Sequence, residues 1–159
     1  MPIFAPEKAI SRLSQTVVIL GFLLRDVDAE QARRATDGAD GWNIPQIVGH
    51  LRDDNEVCIK RTRLMLDQPR APLPTYDQLA LVNANHYAEQ DIADVFARFA
   101  SERRTYVALL SGLSADQWNR TGLHPTWGEV TVVEHATNGA LHDINHIEQI
   151  VKALNFAGM

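Results

Sequence analysis

The chain has 159 residues, a length that suits one domain with a substantial core, so 1–159 is interpreted as a single domain. Hydrophobic residues make up 45% and charged residues 22%, as in ordinary globular proteins. The net charge of −5 argues against a nucleic-acid partner, because a phosphate backbone is bound by a positive surface. No apolar run approaches the roughly 18 residues of a membrane span, and Met1–Glu7 lacks the features of a secretory signal. Cys58 is the only cysteine, which excludes an internal disulfide, and we expect a cytoplasmic protein.

The first half of the chain predicts two amphipathic helices. Apolar residues recur at spacings of three and four from Ile10 to Val27, and two glycines follow this pattern. A second helix is expected to begin after Asn43, which forms a capping box with Gln46, and to run to about Leu66. The basic cluster at 60–63 on this helix is interpreted as a solvated face.

The second half predicts two further long helices after a connection. A Pro-rich stretch at 69–74 is expected to be a crossover loop, and Thr75 with Gln78 is predicted to cap a short helix. One long helix is predicted from the apolar positions between Ile92 and Leu110, and the stretch from Leu113 to Glu129 is predicted to be mostly loop.

The last helix is predicted to begin at a capping box formed by Thr131 and Glu134 and to continue to about Leu154. Evidence for strands is thin throughout. Four long amphipathic helices with one long connection predict an all-α fold, a four-helix bundle with a long crossover.

Two histidines on the last helix point to a metal site. His142 and His146 are four residues apart, or about 40° around a helix, so both face the same side and can bind one ion. On the second helix His50 is flanked by apolar residues and should point into the bundle. Three buried neutral imidazoles without a metal would each need hydrogen-bond partners, so His50, His142 and His146 are the predicted ligands.

Other polar residues lie near these three on the predicted helices. Asp54 follows His50 by one turn and is expected to orient an imidazole or to ligate directly. His135 precedes His142 by two turns, about 10.5 Å of rise, and is interpreted as a cavity-lining or capping residue. Both Asp54 and His135 are candidate proton-transfer groups in catalysis. Gln149 shares the histidine face and is a candidate to support a ligand.

Three segments together resemble the DinB-like family, the damage-inducible four-helix-bundle proteins grouped with bacillithiol S-transferases and mycothiol-dependent isomerases. The segments are GWNIP followed by IVGHL within 41–51, HPTWGEVT at 124–131, and HDINHIEQI at 142–150. The similarity covers most of the chain from Trp42 onward. The resemblance implies a compact bundle, commonly homodimeric, with a divalent metal bound by the residues matching His50, His142 and His146.

The leading hypothesis is a metal-dependent enzyme that acts on a small molecule. Three neutral histidines leave at least one coordination position open, as in catalytic sites. Zn²⁺ and Ni²⁺ are the favoured ions and Fe²⁺ and Mn²⁺ the other candidates, because imidazole ligands discriminate weakly among them. Such an ion can activate water for hydrolysis or hold a low-molecular-weight thiol for transfer. Two alternatives stay open: a non-catalytic metal-binding or stress-response module, and a metal-free helical interaction protein.

Overall fold

The computed structural model describes residues 5–39 and 41–156. Within them the helices in chain order are α1 (Pro6–Leu24), α2 (Ala29–Arg34), α3 (Ile44–Asp67), α4 (Gln78–Ala84), α5 (Ile92–Ser111), α6 (Ala115–Trp118) and α7 (Val132–Phe156). A single 3₁₀ turn at Tyr87–Glu89 lies between α4 and α5. The long helices α1, α3, α5 and α7 form a bundle, so the predicted all-α four-helix fold is confirmed.

The long helices have an arrangement that explains the crossover. Helix α3 packs against α5 and α7, while α1 packs against the same two helices from the other side. Asn55 contacts Arg103, and one or two turns further along both helices Thr62 contacts Tyr106, so α3 and α5 run parallel. Parallel neighbours need a connection that returns to the starting end of the bundle, and residues 68–91 provide it.

Side-chain caps fix the start of the two helices that carry the histidines. Asn43 and Gln46 form a complete capping box at the start of α3. At the start of α7, Thr131 N–H donates to Glu134 Oε2 at 2.7 Å and Glu134 N–H donates to Thr131 Oγ1 at 3.3 Å. Both predicted boxes are therefore present.

The predicted cap of the short helix was wrong by two residues. Helix α4 begins at Gln78, so Asp77 and not Thr75 occupies the capping position. The Asp77 carboxylate accepts from the Ala80 N–H at 3.0 Å. A carboxylate is a strong cap and lies next to the first helical residue, whereas Thr75 is too far away.

A small sheet replaces much of the predicted loop before α7. Strand β1 (Ala71–Pro72) pairs in parallel with β2 (Thr121–His124), which pairs antiparallel with β3 (Gly128–Thr131). Strands of two and four residues contain too few alternations to show a period of two in the sequence. The β2–β3 hairpin leads directly into α7 and lies beside the histidine-bearing face of the bundle.

A buried polar layer divides the core along the bundle axis. Each long helix contributes one residue to it: Thr16, Asn55, Arg103 and Asp143. Arg103 donates to Asp143 through both terminal nitrogens and through Nε to Asn55 Oδ1 at 2.6 Å, while the Thr16 hydroxyl donates to Asp143 Oδ2 at 2.7 Å. One apolar cluster lies on each side, the first around Leu20, Leu51, Phe99 and Ile150 and the second around Leu13, Cys58, Tyr106 and Ala140.

Among residues 5–39 and 41–156, none of the helices combines the length and apolarity that crossing a bilayer requires.

Candidate metal centre

The three histidines predicted as ligands converge between α3 and α7. His142 Nε2 lies 3.0 Å from Nε2 of His50 and 3.1 Å from Nε2 of His146. One ring nitrogen from each residue lies within 4.8 Å of the other two. His50 is fully buried, and His142 and His146 are half-buried. The rings are steeply inclined to one another in T-shaped contacts, with centroids 4.5 to 5.0 Å apart.

A glutamine fixes which nitrogen of His146 carries the proton. Gln149 Nε2 donates to Asp37 Oδ2 at 2.8 Å, and because a carboxylate only accepts, the amide oxygen must face the other way. That oxygen lies 2.7 Å from His146 Nδ1, so Nδ1 is the protonated nitrogen. The Nε2 atom of neutral His146 therefore presents a lone pair to the cluster.

Asp54 has a comparable effect on His142. Its Oδ2 lies 3.6 Å from His142 Nδ1, which is beyond hydrogen-bond distance but places negative charge at that edge of the ring. Burial alone would raise the pKa of Asp54, but the His142 imidazole and the hydroxyl of Tyr76, which donates to Oδ1 at 2.8 Å, hold it below its usual range. An ionised Asp54 favours the proton on Nδ1 of His142 and leaves the Nε2 lone pair facing the cluster.

These nitrogens suit a divalent cation and not a proton. Two lone pairs 3.1 Å apart repel each other unless a positive charge lies between them. Burial, reinforced by His146 and His142, lowers the pKa of His50 to about 3, and burial with His142 also lowers the pKa of His146. Protonation of His50 or His146 at neutral pH therefore does not supply the missing charge, while three neutral imidazoles are a common ligand set for Zn²⁺ and its neighbours.

A cleft of about 440 Å³ opens beside the cluster, between α3, α7 and the β2–β3 hairpin. Asp54 and His142 line the part of it nearest the cluster, and His135 lines it further along α7, as its cavity-lining interpretation requires. His135 is buried, and burial together with the Arg61 charge lowers its pKa to about 4. Cys58 also borders the cleft, but burial raises the pKa of its thiol well above the usual value, so it stays protonated.

Several residues that line the cleft were not predicted from the sequence. Arg61 was assigned to a solvated face but is buried, so that interpretation was wrong. Arg61 follows His50 by 11 residues, which places it about 20° from His50 around a helix. This shared face is the sequence signal that Arg61 points towards the bundle. Tyr76, which holds Asp54, and Trp127, which stacks on His124 at 3.9 Å, lie in connections where periodicity gives no direction.

A model of the DinB superfamily matches residues 12–150. The chain belongs to the DinB superfamily. The resemblance of the three segments is thereby confirmed. In Bacillus subtilis (strain 168), the protein named "Putative metal-dependent hydrolase YfiT" is 24% identical over 155 residues, covering 95% of this chain and 83% of that protein. "Putative metal-dependent hydrolase OB0413" of Oceanobacillus iheyensis is 26% identical over 152 residues, covering 94% of this chain and 81% of that protein.

Solved structures agree on the fold. The structure of YfiT, described as a probable metal-dependent hydrolase with an unusual four-helix bundle topology, has a TM-score of 0.88 at 22% identity and covers 99% of this chain and 90% of that chain. A mycothiol-dependent maleylpyruvate isomerase has a TM-score of 0.78 at 11% identity, covering 94% of this chain and 63% of that chain. At these identities the likeness establishes the fold alone.

Proposed function

We propose that this DinB-superfamily protein is a metal-dependent hydrolase whose divalent ion is held by His50, His142 and His146. The observation that carries the proposal is the convergence of three Nε2 atoms beside an open cleft. The names of YfiT and OB0413, each "Putative metal-dependent hydrolase", support the same activity. All-imidazole ligation favours Zn²⁺ or Ni²⁺, with Fe²⁺ or Mn²⁺ as further candidates.

The reaction follows from the ligand set and its supports. When bound, the ion supplies a Lewis acid that can lower the pKa of a water molecule to about 7. Gln149 keeps the proton of His146 on Nδ1, and Asp54 favours the same tautomer of His142. Both histidines therefore present the Nε2 lone pair to the ion without a change of tautomer. Asp54 is ionised and borders the cleft, and its role as a proton-transfer group stays a prediction. A proton-transfer role of His135 stays a prediction.

Transfer of a low-molecular-weight thiol is the second candidate, and it would use the same three histidines. The fold shared with a mycothiol-dependent isomerase favours it. Cys58 cannot serve as the thiol, because its pKa is raised and it is buried among core residues. A thiol substrate would therefore have to enter through the cleft.

Metal content measured by mass spectrometry is the deciding experiment for the ligand set. Wild type, His50→Ala and His146→Ala are compared after incubation with Zn²⁺ and desalting, with His86→Asn as the control. His86 is exposed, lies outside the cleft and has a left-handed backbone that asparagine tolerates. We expect about one ion per chain in wild type and His86→Asn and its loss in the two ligand variants, with helical circular dichroism retained.

Absence of bound metal from wild type would refute the proposal and favour the metal-free interaction protein. If the ion binds, the loaded protein is tested with p-nitrophenyl acetate and, separately, with a small thiol and the electrophile monobromobimane. Ester hydrolysis lost in His146→Ala supports the hydrolase. Conjugation that needs metal and thiol together supports the transferase. Neither activity, with the ion in place, favours the non-catalytic module.

A further inference from the structure

Two hydrogen-bond donors face each other at the end of the cleft away from the histidine cluster. The N–H groups of Thr126 and Trp127 donate to His124 Nδ1 at 3.2 and 3.3 Å, so this nitrogen accepts. A neutral His124 then carries its proton on Nε2. That Nε2 lies 3.2 Å from Nη1 of Arg61, a nitrogen that can also only donate a hydrogen bond. Neither nitrogen can accept from the other, and an acceptor lying beside both, within hydrogen-bond distance of each, would satisfy the two donors together.

Arg61 is a buried cation that lacks a carboxylate partner within the described part of the chain. Its Nε and Nη2 donate to the Pro74 carbonyl at 3.2 and 2.6 Å. These bonds use two of its five N–H groups, and Nη1, which faces the protonated Nε2 of His124, makes neither of them. A carbonyl neutralises no charge, so the guanidinium keeps a full positive charge at the wall of the cleft.

His135 provides a third polar group at the same end. Its side chain is 3% exposed, and neither ring nitrogen has a hydrogen-bond partner among residues 5–39 and 41–156. Buried polar groups are nearly always paired, so an unpaired imidazole that lines a cleft is available to a ligand. Neutral imidazole offers one N–H donor, which an anion can accept.

We propose that Arg61, His124 and His135 bind the carboxylate of a small organic acid. A carboxylate supplies two acceptor oxygens for the facing donors and one negative charge for the Arg61 guanidinium. Asp54 borders the same cleft but its oxygens are directed at Tyr76 and His142, and it precedes Arg61 by seven residues, about 10.5 Å along α3.

The position of this site defines a substrate, on the condition that the proposed function holds. His135 lies two turns from His142 on α7, so the carboxylate is held roughly 10 Å from the histidine cluster. The substrate is therefore an extended molecule with its reacting bond at one end and its carboxylate at the other. The substrate's carboxylate would be bound in the ground state as well as in the transition state. Its contacts therefore govern the affinity for the substrate and the choice among substrates.

The test is a ¹H–¹⁵N NMR titration with sodium benzoate, with benzamide as the neutral isostere and inorganic phosphate as a second anion. Each titration is run on zinc-loaded and on EDTA-treated protein. The variants are Arg61→Gln and His124→Asn, with Arg63→Gln as the matched control because Arg63 is an exposed arginine on the same helix. Asparagine at 124 keeps an acceptor for the loop amides. We expect benzoate to shift the Thr126 and Trp127 amides with or without zinc.

The Kd for benzoate should rise at least about tenfold in Arg61→Gln and about fivefold in His124→Asn, and stay unchanged in Arg63→Gln. If Arg61→Gln unfolds, His124→Asn decides. No binding, equal binding of benzamide, or equal weakening by Arg63→Gln overturns the site, and tighter phosphate binding overturns the carboxylate assignment. Benzoate binding that needs zinc and ignores Arg61 would place the carboxylate on the metal, which refutes this inference and leaves the metal proposal intact.

Discussion

The Arg103 guanidinium is bonded through two nitrogens to the Asp143 carboxylate, and both side chains are almost completely inaccessible to solvent. Asp143 directly follows His142 on α7, so this ion pair sets the rotation of the helix at the histidine cluster. Thr16 of α1 and Asn55 of α3 bond to the pair, so this layer joins all four long helices. Sequence patterns give little sign of it, since charged residues usually lie on the exposed face of a helix.

Breaking this pair is expected to destabilise the fold strongly. Asp143→Ala leaves the buried Arg103 charge without its partner, and the free energy of unfolding should fall by about 3–5 kcal/mol. For a chain of this size the melting temperature should drop by about 10 °C or more. Thermal unfolding followed by circular dichroism measures this. Arg104→Ala, at the exposed position next to Arg103, is the control and should change stability by less than about 0.5 kcal/mol.

Helix content and the pairing of His142 with His146 could be predicted because both depend on short-range spacing, and His50, 92 positions from His142, was added because apolar residues flank it on its own helix. Apolar residues at three and four define the long helices, and His142 and His146 converge because one helical turn separates them. The capping boxes at Asn43 and Thr131 are local patterns as well. Each of these features needs only residues within a few positions of one another.

The remaining features depend on contacts between distant segments. Strand β1 pairs with residues about 50 positions away in β2, and all three strands are too short to show alternation. Arg61 lies on nearly the same side of α3 as His50. Its burial, however, results from contacts with His124 of the hairpin and Pro74 of the crossover connection. Asp54 was expected to orient an imidazole or to ligate directly, and only the packing of α3 against α7 shows that the imidazole beside its carboxylate is that of His142. Homodimer formation stays a prediction of the family resemblance.

Gln149 should strengthen metal binding without touching the ion. Gln149→Ala removes the acceptor that holds the His146 Nδ1 proton, so the favoured tautomer and ring orientation are lost. We expect the Kd for Zn²⁺ to rise about 10- to 100-fold, measured by competition with a chelating dye. Glu148→Ala changes the neighbouring residue outside the cluster and should leave the Kd unchanged. Equal affinities for both variants would show that the glutamine has no supporting role.

Asp54 should support His142 through its charge. Asp54→Asn keeps the shape of the side chain and removes the negative charge near Nδ1, so Zn²⁺ affinity should fall about tenfold or more. The same competition assay measures it. Glu56→Gln removes an equal charge from a half-exposed position on α3 and serves as the control. If the Asp54→Asn and Glu56→Gln variants bind Zn²⁺ alike, the effect is general electrostatics and not orientation of His142.

Burial of His135 predicts a loss of stability in acid. Its pKa is about 4 in the folded state and about 6.5 when unfolded, so the unfolded chain binds more protons between these values. The free energy of unfolding should therefore fall as pH decreases from about 6.5 to 4, by about 3 kcal/mol from this residue, and be unaffected above that window. His135→Phe should have a shallower decline than wild type in urea titrations with EDTA present. An identical slope in both proteins would contradict this.

Gly49 and Gly139 give a pair of alanine substitutions with opposite expected signs. A Cβ at Gly49 would lie 2.3 Å from Cγ of the buried Tyr87 ring, an approach that requires the ring to move. Overpacking of this kind costs about 1–3 kcal/mol, which exceeds the gain of up to about 1 kcal/mol in helix propensity. A Cβ at Gly139 would meet Cys58 Sγ at 3.8 Å, an ordinary contact, so propensity should prevail there.

Urea denaturation should therefore show Gly49→Ala less stable than wild type and Gly139→Ala more stable, with equal m-values. Both positions lie inside long helices, so the gain in helix propensity from alanine should be similar at each. Opposite changes in the free energy of unfolding would therefore report the contact with Tyr87. Gly49→Ala combined with Tyr87→Ala tests the cause directly, because removing the ring removes the clash. In that background the alanine at 49 should cost nothing or stabilise, and a penalty that persists would mean that the tight approach to Tyr87 is not the reason for glycine.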